Sequence, residues 1–134
     1  MHFHSINWLA VVVAALSGFV IGSLWYGPLF QKPWMAASGM TREKGAQGNM
    51  ALTFGGAYVL NLLGATGISI LVGDHHSVAS GAHVGAFTAF FFVATALGVI
   101  YLFEQRPLKL WFINAGYQVV NFAAMGAVIG AWPR

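Results

Sequence analysis

Four apolar stretches, each long enough to cross a bilayer, dominate the chain, and its charged positions collect between them. The first runs from Ile6 to Tyr26 and holds no ionisable side chain. The second runs from Met50 to Val72, the third from Gly81 to Phe103 with His83 near its start, and the fourth from Leu110 to Trp132. A transmembrane helix needs about 20 predominantly apolar residues. Membrane strands are shorter and alternate apolar with polar positions, and nothing here alternates in that way. The pattern predicts an all-α integral membrane fold, one four-helix domain over residues 1–134.

Composition strengthens this picture. Apolar residues make up 58% of the 134 positions and charged residues 7%, too little charge to cover a soluble globule. The net charge of +3 comes from six Lys and Arg, too few and too scattered to track a nucleic-acid backbone. The lipid bilayer is therefore the partner that composition implies, with no nucleic acid. With no Cys, disulfides, thiolate zinc sites and thiol catalysis fall away. No Lys or Arg precedes the first span, so it reads as a retained helix and not as a signal peptide.

Orientation follows from the basic residues. Lys32, Arg42 and Lys44 lie in the first loop and Arg106 and Lys109 in the third, while the second loop has none and only Arg134 follows the last span. The positive-inside rule makes loops one and three cytoplasmic and places both termini outside. In loop one, Pro28 and Pro33 are expected to end the first helix. Lys32, Trp34, Met35 and Arg42 then read either as a short interfacial segment or as an irregular loop with one aromatic anchor.

Helices in lipid associate through close packing and interhelical hydrogen bonds. Ala10, Ala14, Gly18 and Gly22 form a small-residue row along the first helix. Ala57, Asn61, Ala65 and Ser69 continue the theme on the second, Gly81, Gly85 and Ala89 on the third, and Ala123, Ala127 and Ala131 on the fourth. These rows read as packing within the chain, with a homodimer face as the alternative. Asn61 and Asn121 fall near mid-membrane at similar depth. Asn114, Gln118 and Asn121, with Tyr117 alongside, make a polar stripe on the fourth helix. Structural hydrogen bonding explains that stripe, and a hydrated pathway or small polar ligand site is the competing reading. A faint repeat relates residues 56–62 to 116–122, as two hairpins of the same orientation would.

Candidate chemistry is sparse. Under the predicted topology His2, His4, His75, His76 and His83 lie at the outer face with Asp74, donors that suit zinc, copper or nickel. Their spacing matches no strong zinc motif. The only carboxylates are Glu43, Asp74 and Glu104, and none pairs in sequence with another for acid–base work. No phosphate loop, nucleophile elbow or zinc-protease helix is present. The chain reads as no enzyme and needs no cofactor. Residues 104–109 form a charged turn in which Glu104 can pair with Arg106 or Lys109, and Pro107 starts the last helix.

Several stretches together resemble a known family. Residues 6–11 opening the first helix, Leu24-Trp25-Tyr26-Gly27-Pro28-Leu29, Tyr101-Leu102-Phe103-Glu104 and Arg106-Pro107-Leu108-Lys109-Leu110 are similar to the small bacterial membrane proteins of domain of unknown function 1761. Residues 113–117 and 125–132 extend the likeness over essentially the whole chain. In the family pattern a Ser often stands at the place of Gly27, a Gly at Gln105 and a His at Gln118, and this chain departs at all three. The resemblance implies a four-helix protein of the bacterial cytoplasmic (inner) membrane and implies no activity. It draws notice to Trp25, Tyr26, Pro28, Glu104, Arg106, Pro107, Lys109, Asn114 and Tyr117, which topology gathers towards one inner-facing cleft.

The sequence thus leads to a small oligomeric membrane protein, a dimer in first place, that binds or passes a small polar or amphipathic molecule. The ligand or pathway candidates are Trp25, Tyr26, Asn61, Glu104, Arg106, Lys109, Asn114, Tyr117, Gln118 and Asn121. The alternatives are an accessory subunit that keeps a membrane-protein partner, and an outer-face metal binder.

Overall fold

Asn7 starts the first helix by accepting, through its side chain, a hydrogen bond from the Ala10 N–H at 3.2 Å. Asn49 does the same for Leu52 at 3.1 Å and Ser77 for Ser80 at 3.0 Å, each supplying an acceptor to a helix's first, unpaired donors. The computed structural model describes residues 6–73 and 77–133. Its elements are α1 (Trp8–Leu29), α2 (Gln31–Ser38), α3 (Arg42–Gln47), α4 (Met50–Val72), α5 (Val78–Phe103) and α6 (Leu108–Ala131). The described residues are all-helical or loop, and α1, α4, α5 and α6 are each long and apolar enough to cross a membrane.

The bounds of α4 are those expected, and the other spans shift for local reasons. Pro28 does not end α1. Its helix widens into a π turn over Trp25–Leu29, closed by the Phe30 N–H donating to the Trp25 carbonyl at 2.9 Å. Gly27 absorbs the kink with φ −95° and ψ −105°, outside the helical region. Pro33 is the third residue of α2, where a missing N–H costs nothing because no carbonyl precedes it in that helix. Loop one is therefore helical and not irregular. The Ser77 cap starts α5 at Val78, three residues before Gly81. Pro107 precedes α6 in extended conformation, and that helix begins at Leu108.

The four long helices run in alternating directions. One end of the bundle, here called the basic end, therefore gathers loops one and three, and the far end gathers the loop that follows α4. The last helix, α6, is the hub that touches the other three. Its tightest contact is with α5. A Cβ on Gly81 would collide with the Gly126 carbonyl, one on Gly85 with the Phe122 carbonyl, and one on Gly130 with the Ser77 carbonyl. The row used on α6 is thus Phe122, Gly126 and Gly130, one position away from the expected Ala123, Ala127 and Ala131. Glycine allows backbone to lie on backbone where alanine would hold it off. On α1, Ala10, Ala14 and Gly18 are buried as a packing row requires. In the far half, Val11, Ala14, Ala65, Ile68, Val72, Met125 and Ile129 close into an apolar core.

The basic half is less closed. Helix α4 packs against α1, α6 and the first part of α5, Val78–Thr88, and its close approach does not extend along Ala89–Phe103. There α5 widens into a second π turn, Ala89–Ala94, fastened to α6 by the Trp111 Nε1–H donating to the Ala94 carbonyl at 2.8 Å. A wedge between α4 and the second part of α5 results, and it positions the site.

Candidate functional site

The wedge holds a cavity of about 950 Å³ that opens in the basic half of the bundle. Five elements wall it: α1 through Gly18, Phe19, Gly22, Ser23, Tyr26 and Gly27, α2 through Trp34, and α4 through Thr53, Phe54, Ala57, Leu60 and Asn61. Leu97 and Tyr101 come from α5, and Asn114, Tyr117 and Gln118 from α6. None of these residues is charged at neutral pH.

The polar wall is built on one face of α6, where Asn114, Tyr117, Gln118 and Asn121 follow at helical spacing. Near the mouth the Tyr26 hydroxyl donates to Asn114 Oδ1 at 2.7 Å, and Asn114 Nδ2 donates to the Tyr101 hydroxyl at 2.8 Å. One amide therefore ties α1 and α5 to α6. The Tyr26 ring also lies between Tyr117, at a centroid distance of 5.3 Å, and Trp34, edge-on at 5.4 Å. Deeper, the Tyr117 hydroxyl donates to the Gly18 carbonyl at 3.1 Å, and its ring lies against α1 beside Gly22.

Asn61 and Asn121 form the floor. Asn121 Nδ2 donates to Asn61 Oδ1 at 3.3 Å and reaches Gln118 Oε1 at 3.5 Å, a long contact. Asn121 is fully buried and its Oδ1 has no hydrogen-bond donor among the described residues. That oxygen lies against α1 at Gly18, where a Cβ would come within 2.6 Å of it, an approach that only glycine permits. Below this floor lies the apolar core of the far half.

Of the residues the sequence singled out, the structure places Tyr26, Asn61, Asn114, Tyr117 and Gln118 on the cavity wall. Trp25 stands outside it: its indole N–H donates to the Ile113 carbonyl at 2.9 Å and its ring packs on Gly116, so it secures α1 to α6. Asn121 lies behind the wall as the buried partner of Asn61, which interrupts the expected polar stripe at its deep end. Glu104, Arg106 and Lys109 are not brought to the cavity. Arg106 Nε pairs with Glu104 Oε1 at 2.9 Å, both side chains being about half exposed, and its guanidinium sits 5.4 Å from the Tyr101 ring centre. Lys109 is exposed on the first turn of α6.

Sequence reasoning missed Tyr101 and Trp34 as wall residues, and the apolar side made by Phe19, Phe54, Leu60 and Leu97. The signal for Tyr101 was a phenol in the last turn of the third span, at the same level as Tyr26. His83, at the far half, is exposed with Nδ1 2.7 Å from the Ala79 carbonyl oxygen. The other residues considered for metal, His2, His4, Asp74, His75 and His76, lie outside the described residues. Among the described residues no three His, Asp or Glu side chains come together as a metal site would require.

Comparison with known proteins adds one finding. No curated protein and no solved structure matches the chain. A family model described as "Protein of unknown function (DUF1761)" matches residues 9–130, nearly the whole chain, in agreement with the resemblance carried by its helix-end motifs. The chain belongs to the DUF1761 family.

Proposed function

We propose that this protein is a non-enzymatic membrane protein that binds a small amphipathic molecule in the cavity of its basic half. One observation carries the reading: a cavity of about 950 Å³ that joins an apolar side to a wall of phenols and amides, with no charged side chain. Ligand sites combine apolar lining with a few placed polar groups in this way. The apolar core beneath the Asn61–Asn121 floor makes the cavity a dead end, which favours binding over an open channel.

In this proposal the basic end faces the cytoplasm and both termini face outward, in a bacterial inner membrane, on the distribution of Lys and Arg between the loops. Gly18, Gly22, Gly81 and Gly85 are engaged within the chain. A homodimer, or a complex in which this chain is an accessory subunit, therefore has the exposed apolar sides of the spans as its contact surface, and not these glycine rows.

The native chain has no cysteine, so single cysteines report accessibility directly. Cysteine at Thr53 or Gln118 is expected to react with small thiol reagents and cysteine at Asn121 to stay protected. Rapid labelling at Asn121 from water would show a continuous hydrated path, and protection at all three would remove the cavity as a binding site.

A further inference from the structure

We infer that the cavity takes a neutral amphiphile whose head carries hydrogen-bond-accepting oxygens, as in a quinone, ketone or ester, and that this molecule arrives from within the bilayer between α4 and the second part of α5. The inference deepens the binding reading above and rests on it.

The head is neutral because nothing at the wall can compensate an ion. No lining side chain is charged, and bringing an ion out of water without a partner is costly. Aromatic walls can hold a quaternary ammonium by cation–π attraction. Here the Arg106 guanidinium already stands 5.4 Å from the Tyr101 ring centre and holds Glu104 at 2.9 Å, so that ring has a cation near it and the adjacent carboxylate is engaged, leaving no counter-charge for a second cation.

The head is an acceptor because the wall has hydrogens to spare. Tyr26, the Asn114 amide and Tyr101 form a linear relay at 2.7 and 2.8 Å. One phenol donates to the amide oxygen, and the other accepts from the amide nitrogen, which leaves the second phenol's own hydrogen over. Turning the amide round exchanges the two phenols and still leaves one hydrogen over, so the conclusion does not depend on how the amide faces. Both phenols line the cavity. Deeper, Gln118 Oε1 is engaged by Asn121, and Gln118 Nε2 has no acceptor among the described residues. Two donors at different depths suit a head with two oxygens.

The route follows from the missing wall. Leu60 lines the cavity and is nevertheless 68% exposed, as Phe54 is at 52%, because no helix covers α4 on that side. At membrane depth such a flank meets acyl chains, while Trp34 on α2 lines the cavity at its basic end, edge-on to Tyr26.

The test uses the full chain in vesicles of ether-linked phospholipid, which lacks ester carbonyls that would compete. Three tritiated ten-carbon probes are compared: decyl benzoquinone, decyltrimethylammonium and decanoate. The quinone is expected to bind saturably and the two ions at least about tenfold more weakly. The double variant Tyr101→Phe/Gln118→Leu should weaken the quinone about tenfold and leave the ions unchanged. A Leu60→Cys variant should react with pyrene maleimide dissolved in the bilayer, be slowed by the quinone, and resist a membrane-impermeant thiol reagent. Preferential binding of either ion, abolished by Leu97→Trp within the cavity, would overturn the ligand class while the binding site stood. Faster labelling of that cysteine by the impermeant reagent would overturn the bilayer route. Absence of saturable binding by all three probes, with Leu97→Trp identical to wild type, would sink the binding reading itself.

Discussion

The position that a Cβ would take on Gly18 is 2.6 Å from Asn121 Oδ1, so α1 can meet the buried amide of α6 only because residue 18 is glycine. The same built Cβ would overlap Asn61 Nδ2. Gly18→Ala must therefore part the two amides or push α1 outward. A loss of about 1–3 kcal/mol is expected, as for overpacking elsewhere. Gly67, whose Cβ would meet nothing, is the control: Gly67→Ala should be neutral or gain up to about 1 kcal/mol of helix propensity. Thermal denaturation of both variants in one mild detergent measures the contrast.

The Asn61–Asn121 pair should respond asymmetrically. Asn121→Leu loses the 3.3 Å bond but also removes an oxygen that has no donor, so its net cost should stay within about 1 kcal/mol. Asn61→Leu strips the acceptor from a fully buried Nδ2 and should cost about 1–2 kcal/mol more. Equal losses in a denaturation series would show that the pair is not organised as described.

Two indole bonds hold the widened turns to α6. Trp25→Phe and Trp111→Phe each keep a ring and delete one N–H···O bond, at 2.9 and 2.8 Å respectively. Each should cost about 1 kcal/mol. Hydrogen exchange should rise locally, over Trp25–Leu29 in the first variant and Ala89–Ala94 in the second.

Gln105 is the one described non-glycine residue with positive φ, at 58°. It occupies the turn that carries the Glu104–Arg106 pair, where a side chain incurs left-handed strain that glycine does not. Gln105→Gly should raise stability by about 0.5–1 kcal/mol and leave the cavity unchanged, as read from melting temperature and probe binding together.

The four spans were legible because bilayer thickness fixes how long an apolar run must be, and α4 even kept its predicted ends. The extension of α1 through Pro28 was not, because a π turn absorbs the missing donor in a way no propensity records. The polar wall on α6 could be read from helical spacing alone, since Asn114, Tyr117 and Gln118 stand out in an apolar helix. Its partners Tyr101 and Trp34, by contrast, are amphipathic residues near span ends, where they look like ordinary interface anchors. Charge misled the reading of the cleft. Glu104 and Arg106 satisfy each other at the surface, and an ion pair that is half in water gains nothing from moving to an uncharged cavity.

The most direct measurement is native mass spectrometry of the full chain extracted in mild detergent, beside the variant Ala57→Trp, which fills the cavity from its exposed α4 side. The expected result is a reproducible small-molecule mass on the wild-type chain that the variant lacks while still folding. A bare wild-type chain, or the same molecule retained equally by both, would contradict the cavity as the seat of function. Either spectrum also gives the number of copies and any second protein that stays bound.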